Sequence, residues 1–267
     1  MNSAMKNSIR PRVAVHKFSS CDGCQLALLN LGEDLLTLAG RVDLVHFAEA
    51  GPLDPEADVD VAFVEGSVST PEDVERIQHI RQHSRLLIAI GACATAGGIQ
   101  ALRNGADGAQ WVAQIYSHPE AISSLAQSTP IASHVKVDFE LWGCPVSGAQ
   151  MLAVVNSLLL GVAPRDNADK VCTECKRNGY PCVMVSRGIA CMGPVTRAGC
   201  GALCPGLGRD CYGCYGPAEK ANTDALAAQF ASLGLTPQAI VQRFQSINSQ
   251  APVFLAAADK VRMRGDG

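Results

Sequence analysis

The placement of cysteine constrains this chain more than any other feature. Of its 12 cysteines, Cys21, Cys24, Cys93 and Cys144 are scattered through the first part of the chain, while the other eight crowd between Cys172 and Cys214. Those eight are separated by two, six, eight, eight, three, six and two residues, so tight pairs stand at both ends. Exported disulfide proteins reach this density, but they are usually small. A chain of 267 residues that is 48% apolar has enough material for a sizeable core. Thiolate ligation of metal is the better of the two readings. A net charge of −3, from 22 basic and 25 acidic residues, gives no bulk attraction to nucleic acid or anionic membrane. No stretch approaches the roughly 20 apolar residues that span a bilayer. Ala149 to Val162 comes nearest and is interrupted by Gln150, Asn156 and Ser157. Met1 to Arg12 has neither a long apolar core nor paired arginines, so no export signal is expected.

Strands and helices alternate through the first part of the chain. Arg12–Phe18, Val42–Phe47, Val59–Val64, Leu86–Ile90 and Phe139–Trp142 read as strands, from their β-branched and aromatic content. Leucine-rich Gln25–Ala39 reads as a helix stopped at Gly40, and Ser147–Leu160 as another. Thr70-Pro71-Glu72 carries the cap, proline and acid of a helix start. This order predicts an α/β fold, a parallel sheet covered on both faces. Cys21 and Cys24, Cys93 and Cys144 each follow a predicted strand, at the sheet edge where such folds bind ligands. The pattern stops near Ala163-Pro164-Arg165-Asp166, which sets the expected domains at 1–165 and 166–267. Val171 to Pro217 holds nine glycines and little periodicity. It is expected to pack no conventional core and to be organised by what its thiolates bind. C-terminal helices are expected from Asn222 to Gly234 and from Thr236.

Iron–sulfur clusters and zinc both accept four thiolates. The lone Cys93 and Cys144, the Cys-Pro steps at Cys144-Pro145 and Cys204-Pro205, and small neighbours such as Gly23, Gly91, Gly143, Gly201 and Gly213 favour iron–sulfur. Six basic residues against two acidic between Lys170 and Cys214 suit anionic clusters. A zinc-stabilised interaction module remains the alternative from another functional class.

The motifs Ser20-Cys-Asp-Gly-Cys-Gln25, Glu65-Gly-Ser67, Gly91-Ala-Cys-Ala94 and Gly143-Cys-Pro145, in that order, resemble the small subunit of a NiFe hydrogenase. A variant of them occurs in the cluster-bearing subunit of respiratory complex I. The later motifs, Cys172-Thr-Glu-Cys175, Cys191 to Pro205 and Cys211-Tyr-Gly-Cys214, are similar to the delta subunit of cytoplasmic sulfhydrogenases. The likeness covers roughly residues 10 to 245. It departs from periplasmic uptake hydrogenases, which carry a histidine ligand on the distal cluster, since no histidine follows His134.

The resemblance implies a flavodoxin-like domain with a proximal 4Fe–4S cluster on Cys21, Cys24, Cys93 and Cys144. It further implies a cysteine-rich domain with two more 4Fe–4S clusters on Cys172, Cys175, Cys182, Cys191, Cys200, Cys204, Cys211 and Cys214. The spacing leaves open which of these eight share a cluster; one expectation, by analogy with ferredoxins, is an exchange in which each cluster takes three cysteines from one end and a fourth from the other. The implied partners are a NiFe large subunit and flavin- or NAD(P)-binding and iron–sulfur subunits, in the cytoplasm, with no nucleic acid and no membrane span. A deazaflavin or heterodisulfide-linked acceptor is the rival within electron transfer. No catalytic residue is expected in the chain, apart from Glu65, which is read either as a proton carrier or as a turn carboxylate accepting N–H bonds. His16 and His46 read as structural histidines, and Trp142 as packing.

Overall fold

The computed structural model describes residues 10–165 and 169–265. The stretch expected to carry no export signal lies mostly outside them, and so does Asp166 of the expected boundary. Five strands form one parallel sheet: β1 (Arg12–Lys17), β2 (Asp43–Phe47), β3 (Val59–Glu65), β4 (Ser84–Ile90) and β5 (Phe139–Leu141), in the order β2-β1-β3-β4-β5. That is the flavodoxin-like order, whose direction of winding reverses between β1 and β3. Because alternate residues point to opposite faces, β1, β3 and β4 feed two cores. Val13, Val15, Val61, Phe63, Ile88 and Ile90 pack with Met151, Val154 and Val155 on one face. Ala14, Ala62, Val64, Leu87 and Ala89 pack with Ile77 and Ile80 on the other. The α/β reading of the sequence therefore holds on both faces.

Helix α3 (Pro71–Gln82) starts as expected, with Thr70 and Asp73 forming a reciprocal capping box. The long helix expected over Gln25–Ala39 is instead two, α1 (Gly23–Leu29) and α2 (Glu33–Ala39). Gly32 breaks it: its φ of +59° is left-handed backbone that glycine adopts without a Cβ clash. Cys93 lies in a short helix, α4 (Gly91–Ala96), where a loop was expected. Helices α5 (Gly108–Ile115) and α6 (Gly148–Leu159) complete this part. Among the described residues no helix is long and apolar enough to cross a membrane.

The second part holds α7 (Val171–Arg177), α8 (Val183–Arg187), α9 (Leu203–Gly206), α10 (Thr223–Ser232), α11 (Pro237–Phe244) and α12 (Pro252–Gly265). It does pack a core, which corrects the expectation. Val171, Val183, Met192 and Val195 of the cysteine-rich segment are buried against Phe230, Ile240, Phe244 and Phe254 of the last three helices. The apolar side chains that the segment lacks are supplied by sequence beyond it.

Candidate functional site

The sheet register places the first four cysteines. Glu65 of β3 pairs with Lys17 of β1 and with Ile90 of β4, and Ile90 pairs with Leu141 of β5. Three strands that carry cysteine loops thus end on one line. Cys21 and Cys24 follow β1, Cys93 follows β4 by three residues and Cys144 follows β5 by three. The loop after β1 is fastened by the Lys17–Asp22 ion pair at 2.6 Å and by the Ser20 hydroxyl donating to Asp22 at 2.9 Å.

The four thiols lie within one another's electrostatic reach. Burial first, and then the charges of Cys144, Cys21 and Glu65, push Cys93 up to about 12. Cys24 is raised by burial, then by Glu65, Cys93 and Cys144, and Cys144 by burial, then Cys21 and Glu65. Backbone crowds the sulfurs. A Cβ on Gly91 would stand 2.4 Å from Sγ of Cys24, and one on Gly98 would stand 2.5 Å from Sγ of Cys93. Glu65 is only 2% exposed, and its carboxylate accepts the N–H of Cys24 at 3.3 Å and of Gln25 at 3.0 Å. It thereby anchors the first turn of α1. Burial raises its proton affinity, and the two N–H bonds oppose that rise.

The eight later cysteines fall into groups. Cys172 feels Cys191 and Cys182, Cys175 feels Cys172, Cys191 and Cys182, and Cys191 feels Cys182, so every pair among these four interacts. Cys214, raised to about 12 chiefly by burial, feels Cys200, Cys144 and Cys204. Cys211 touches both groups: its N–H donates to Sγ of Cys191 at 3.2 Å, while Cys214 is its thiol neighbour in the other. By these neighbours the groups follow sequence order, with Cys175 also feeling Cys200 across them. Through Cys144 and Cys214 the first site adjoins the second segment.

These residues suit iron–sulfur clusters. Sulfur is approached by backbone donors, with the N–H of Gly213 on Cys211 at 3.4 Å and those of Ala202 and Leu203 on Cys200. Such donors stabilise anionic sulfur and tune its potential. All 12 cysteines are free thiols. Among the described residues no three His, Cys, Asp or Glu side chains converge to hold a single metal ion.

Several side chains serve the join between the two parts, which sequence reasoning did not foresee. The backbone of Gly216 lies so close to Trp142 that a Cβ there would stand 2.1 Å from the indole, and the Arg197 guanidinium stacks 5.5 Å above the same ring. Gly199 abuts Gln150 in the same way, with only 2.3 Å left for a Cβ. In the sequence the two glycines are visible only as part of a glycine-rich segment. His16 and His46 stack at 4.7 Å.

Residues 21–158 match the family described as NADH ubiquinone oxidoreductase, 20 Kd subunit. The chain is 35% identical to the sulfhydrogenase 2 subunit delta of Pyrococcus furiosus, over 80% of this chain and 90% of that one. It is 30% identical to a subunit of the F420-non-reducing hydrogenase vhu of Methanococcus voltae, over 91% of this chain and 93% of that one. Among solved structures, an NAD+-reducing NiFe hydrogenase superposes with a TM-score of 0.54 at 27% identity, covering 58% of this chain and 94% of that one. The actinobacterial-type NiFe hydrogenase of Ralstonia eutropha H16 shares the fold, with a TM-score of 0.59 at 16% identity over 97% of this chain and 92% of that one.

Proposed function

The chain belongs to the NADH ubiquinone oxidoreductase 20 Kd subunit family, as a small subunit of the NiFe hydrogenase type, and on that premise we propose that it is a three-cluster electron relay. The observation that carries this reading is the continuity of thiols from the sheet edge through Cys144 and Cys214 into the second segment. The first 4Fe–4S cluster is assigned to Cys21, Cys24, Cys93 and Cys144. The second is assigned to Cys200, Cys204, Cys211 and Cys214, and the third to Cys172, Cys175, Cys182 and Cys191. When bound, the clusters supply one-electron redox chemistry. The protein holds them within tunnelling reach, shields them, and donates N–H groups to their sulfurs. In this reading the chain divides into domains 1–165 and 166–267, with Trp142, Arg197 and Gly216 at their join.

In this reading the chain breaks no bond itself. A large subunit carries the nickel–iron centre and lies against the first cluster, and a flavin- and NAD(P)-binding partner takes electrons beyond the third. Exposed apolar side chains near both ends favour partners there. Leu26 follows Cys24 of the first site on α1, and Val185 follows Cys182 of the third. A cytoplasmic place suits 12 free thiols, which a reducing compartment preserves. For Glu65, anchoring α1 is the role its two N–H bonds favour. Proton handling at the first cluster rests on its burial alone.

Native mass spectrometry of the complex, with iron analysis, tests the proposal. The expected result is about 12 irons per chain, a nickel-containing partner and a nucleotide-binding partner. A colourless, zinc-loaded chain without a nickel partner would overturn it.

A further inference from the structure

Glu174 lies between Cys172 and Cys175 on α7, yet its carboxylate turns away from them toward the other group of thiols. It accepts the N–H of Gly199 at 2.9 Å and of Ala202 at 3.1 Å, and one of its oxygens lies 3.9 Å from Sγ of Cys200. Two backbone donors thus hold an anionic group against a sulfur that the proposed function makes an iron ligand. That arrangement costs energy in a site already rich in negative charge, because like charges repel more strongly where water is scarce. Each N–H takes an oxygen of its own, which a carboxylate offers and an amide does not, so the clasp between α7 and the Gly199–Ala202 loop brings a fixed charge with it. That charge bears on the sulfur beside it.

We propose that Glu174 is a positioning residue that acts through Cys200, lowering the reduction potential of the cluster that Cys200 ligates and so tilting electron transfer toward the cluster on the helix that carries Glu174. The inference rests on the reading that both groups of cysteines hold clusters. An added electron is a negative charge, so a fixed carboxylate beside one cluster opposes its reduction. Tethering by two N–H groups keeps the carboxylate from swinging into solvent, where its field would be screened. Because the carboxylate sits on the helix of one group and against the sulfur of the other, its effect falls on the step between them.

The test is an EPR-monitored redox titration of the intact holoprotein complex, comparing wild type with Glu174→Gln and Glu174→Asp, with iron measured on each. In E174Q, iron stays at the wild-type level and the midpoint of one cluster rises, so its ratio of reduced to oxidised forms at the wild-type midpoint increases about tenfold for each 59 mV of shift. In E174D, which keeps the charge, that midpoint returns toward wild type. Unchanged midpoints in E174Q with full iron would overturn the proposal. So would loss of one cluster's iron in E174Q, which would reduce Glu174 to a clasp. A wild-type chain without iron would instead bring down the cluster reading on which the inference stands.

Discussion

Replacing Gly91 by alanine should remove the first cluster while leaving the rest of the chain folded. Two costs are superposed at this position. Gly91 has φ of +85°, so any Cβ meets left-handed backbone strain of about 1–2 kcal/mol. The Cβ would also stand 2.4 Å from Sγ of Cys24, where an ordinary contact needs about 3.5 Å. Sulfur or backbone must therefore yield by about 1 Å, at an atom that the proposed site holds as a ligand. Gly234 separates the two costs. Its φ is +88°, almost the same, and nothing lies within 4 Å of a Cβ built there. G234A therefore bears the strain alone, which amounts to a loss of roughly 2–8 °C in Tm for a chain of this size.

G91A should bear the strain and also lose about four irons per chain, one cluster's worth. The assay is iron and sulfide content with absorbance near 400 nm, alongside thermal melts of both variants. Equal iron in G91A and G234A would refute the reasoning. It would mean that the sulfur of Cys24 is free to move, and so that it is not fixed by iron.

Two further predictions follow from separate parts of the fold. If the later cysteines group in sequence order, Cys172→Ala and Cys191→Ala each lose one cluster and the double variant loses no more, whereas Cys191→Ala with Cys214→Ala loses two. Iron counts that fall further in the Cys172/Cys191 double variant would restore a mixed grouping. Acid should weaken the fold through His16, which is 6% exposed and is held down to about 3 by burial, then by His46, Arg76 and His79. Its unfolded value is near 6.5, so the unfolded chain binds the extra proton first and stability falls between about pH 6.5 and pH 3, by about 2 kcal/mol at pH 5. Denaturant unfolding at pH 8 and pH 5 should show that loss in wild type and a smaller one in His16→Gln; equal losses would sink the assignment.

The parts of the fold that follow from local chemistry were legible. β-Branched and aromatic runs such as Val59–Val64 marked the strands, because a strand buried on both faces is apolar almost throughout, and Thr70-Pro71 announced α3 because an orphaned helix terminus needs a cap. The last helix was overlooked although its signal was present: Pro252 begins it, and Phe254, Ala257, Ala258 and Val261 recur at helical spacing. Cys93 was expected in a loop because Gly91, Ala92, Ala94 and Ala96 carry no amphipathic pattern. The helix there is buried almost all round and shows none. The four cysteines of the sheet edge could be gathered from strand order alone. The grouping of the other eight could not, because only short helices and loops join them, and their core comes from helices further along the chain.

The precision of the first site depends on β5, the strand least able to hold its own register. It has three residues, and a slip of one would carry Cys144 about 3.3 Å along the sheet and turn each side chain to the wrong face. The register is instead pinned just before the strand. The N–H of Asp138 donates to the carbonyl of Leu87 at 2.9 Å, and its carboxylate accepts the N–H of Leu87 at 2.9 Å. Arg81 of α3 holds the same carboxylate at 2.5 Å. A residue six positions before Cys144 therefore ties β5 to β4 and to α3 at once. Cys93 leaves the far end of that same β4, three residues beyond Ile90. Two of the four thiols are thus spaced from each other by one ladder, and that ladder is locked by a carboxylate at the end of the strand remote from the site.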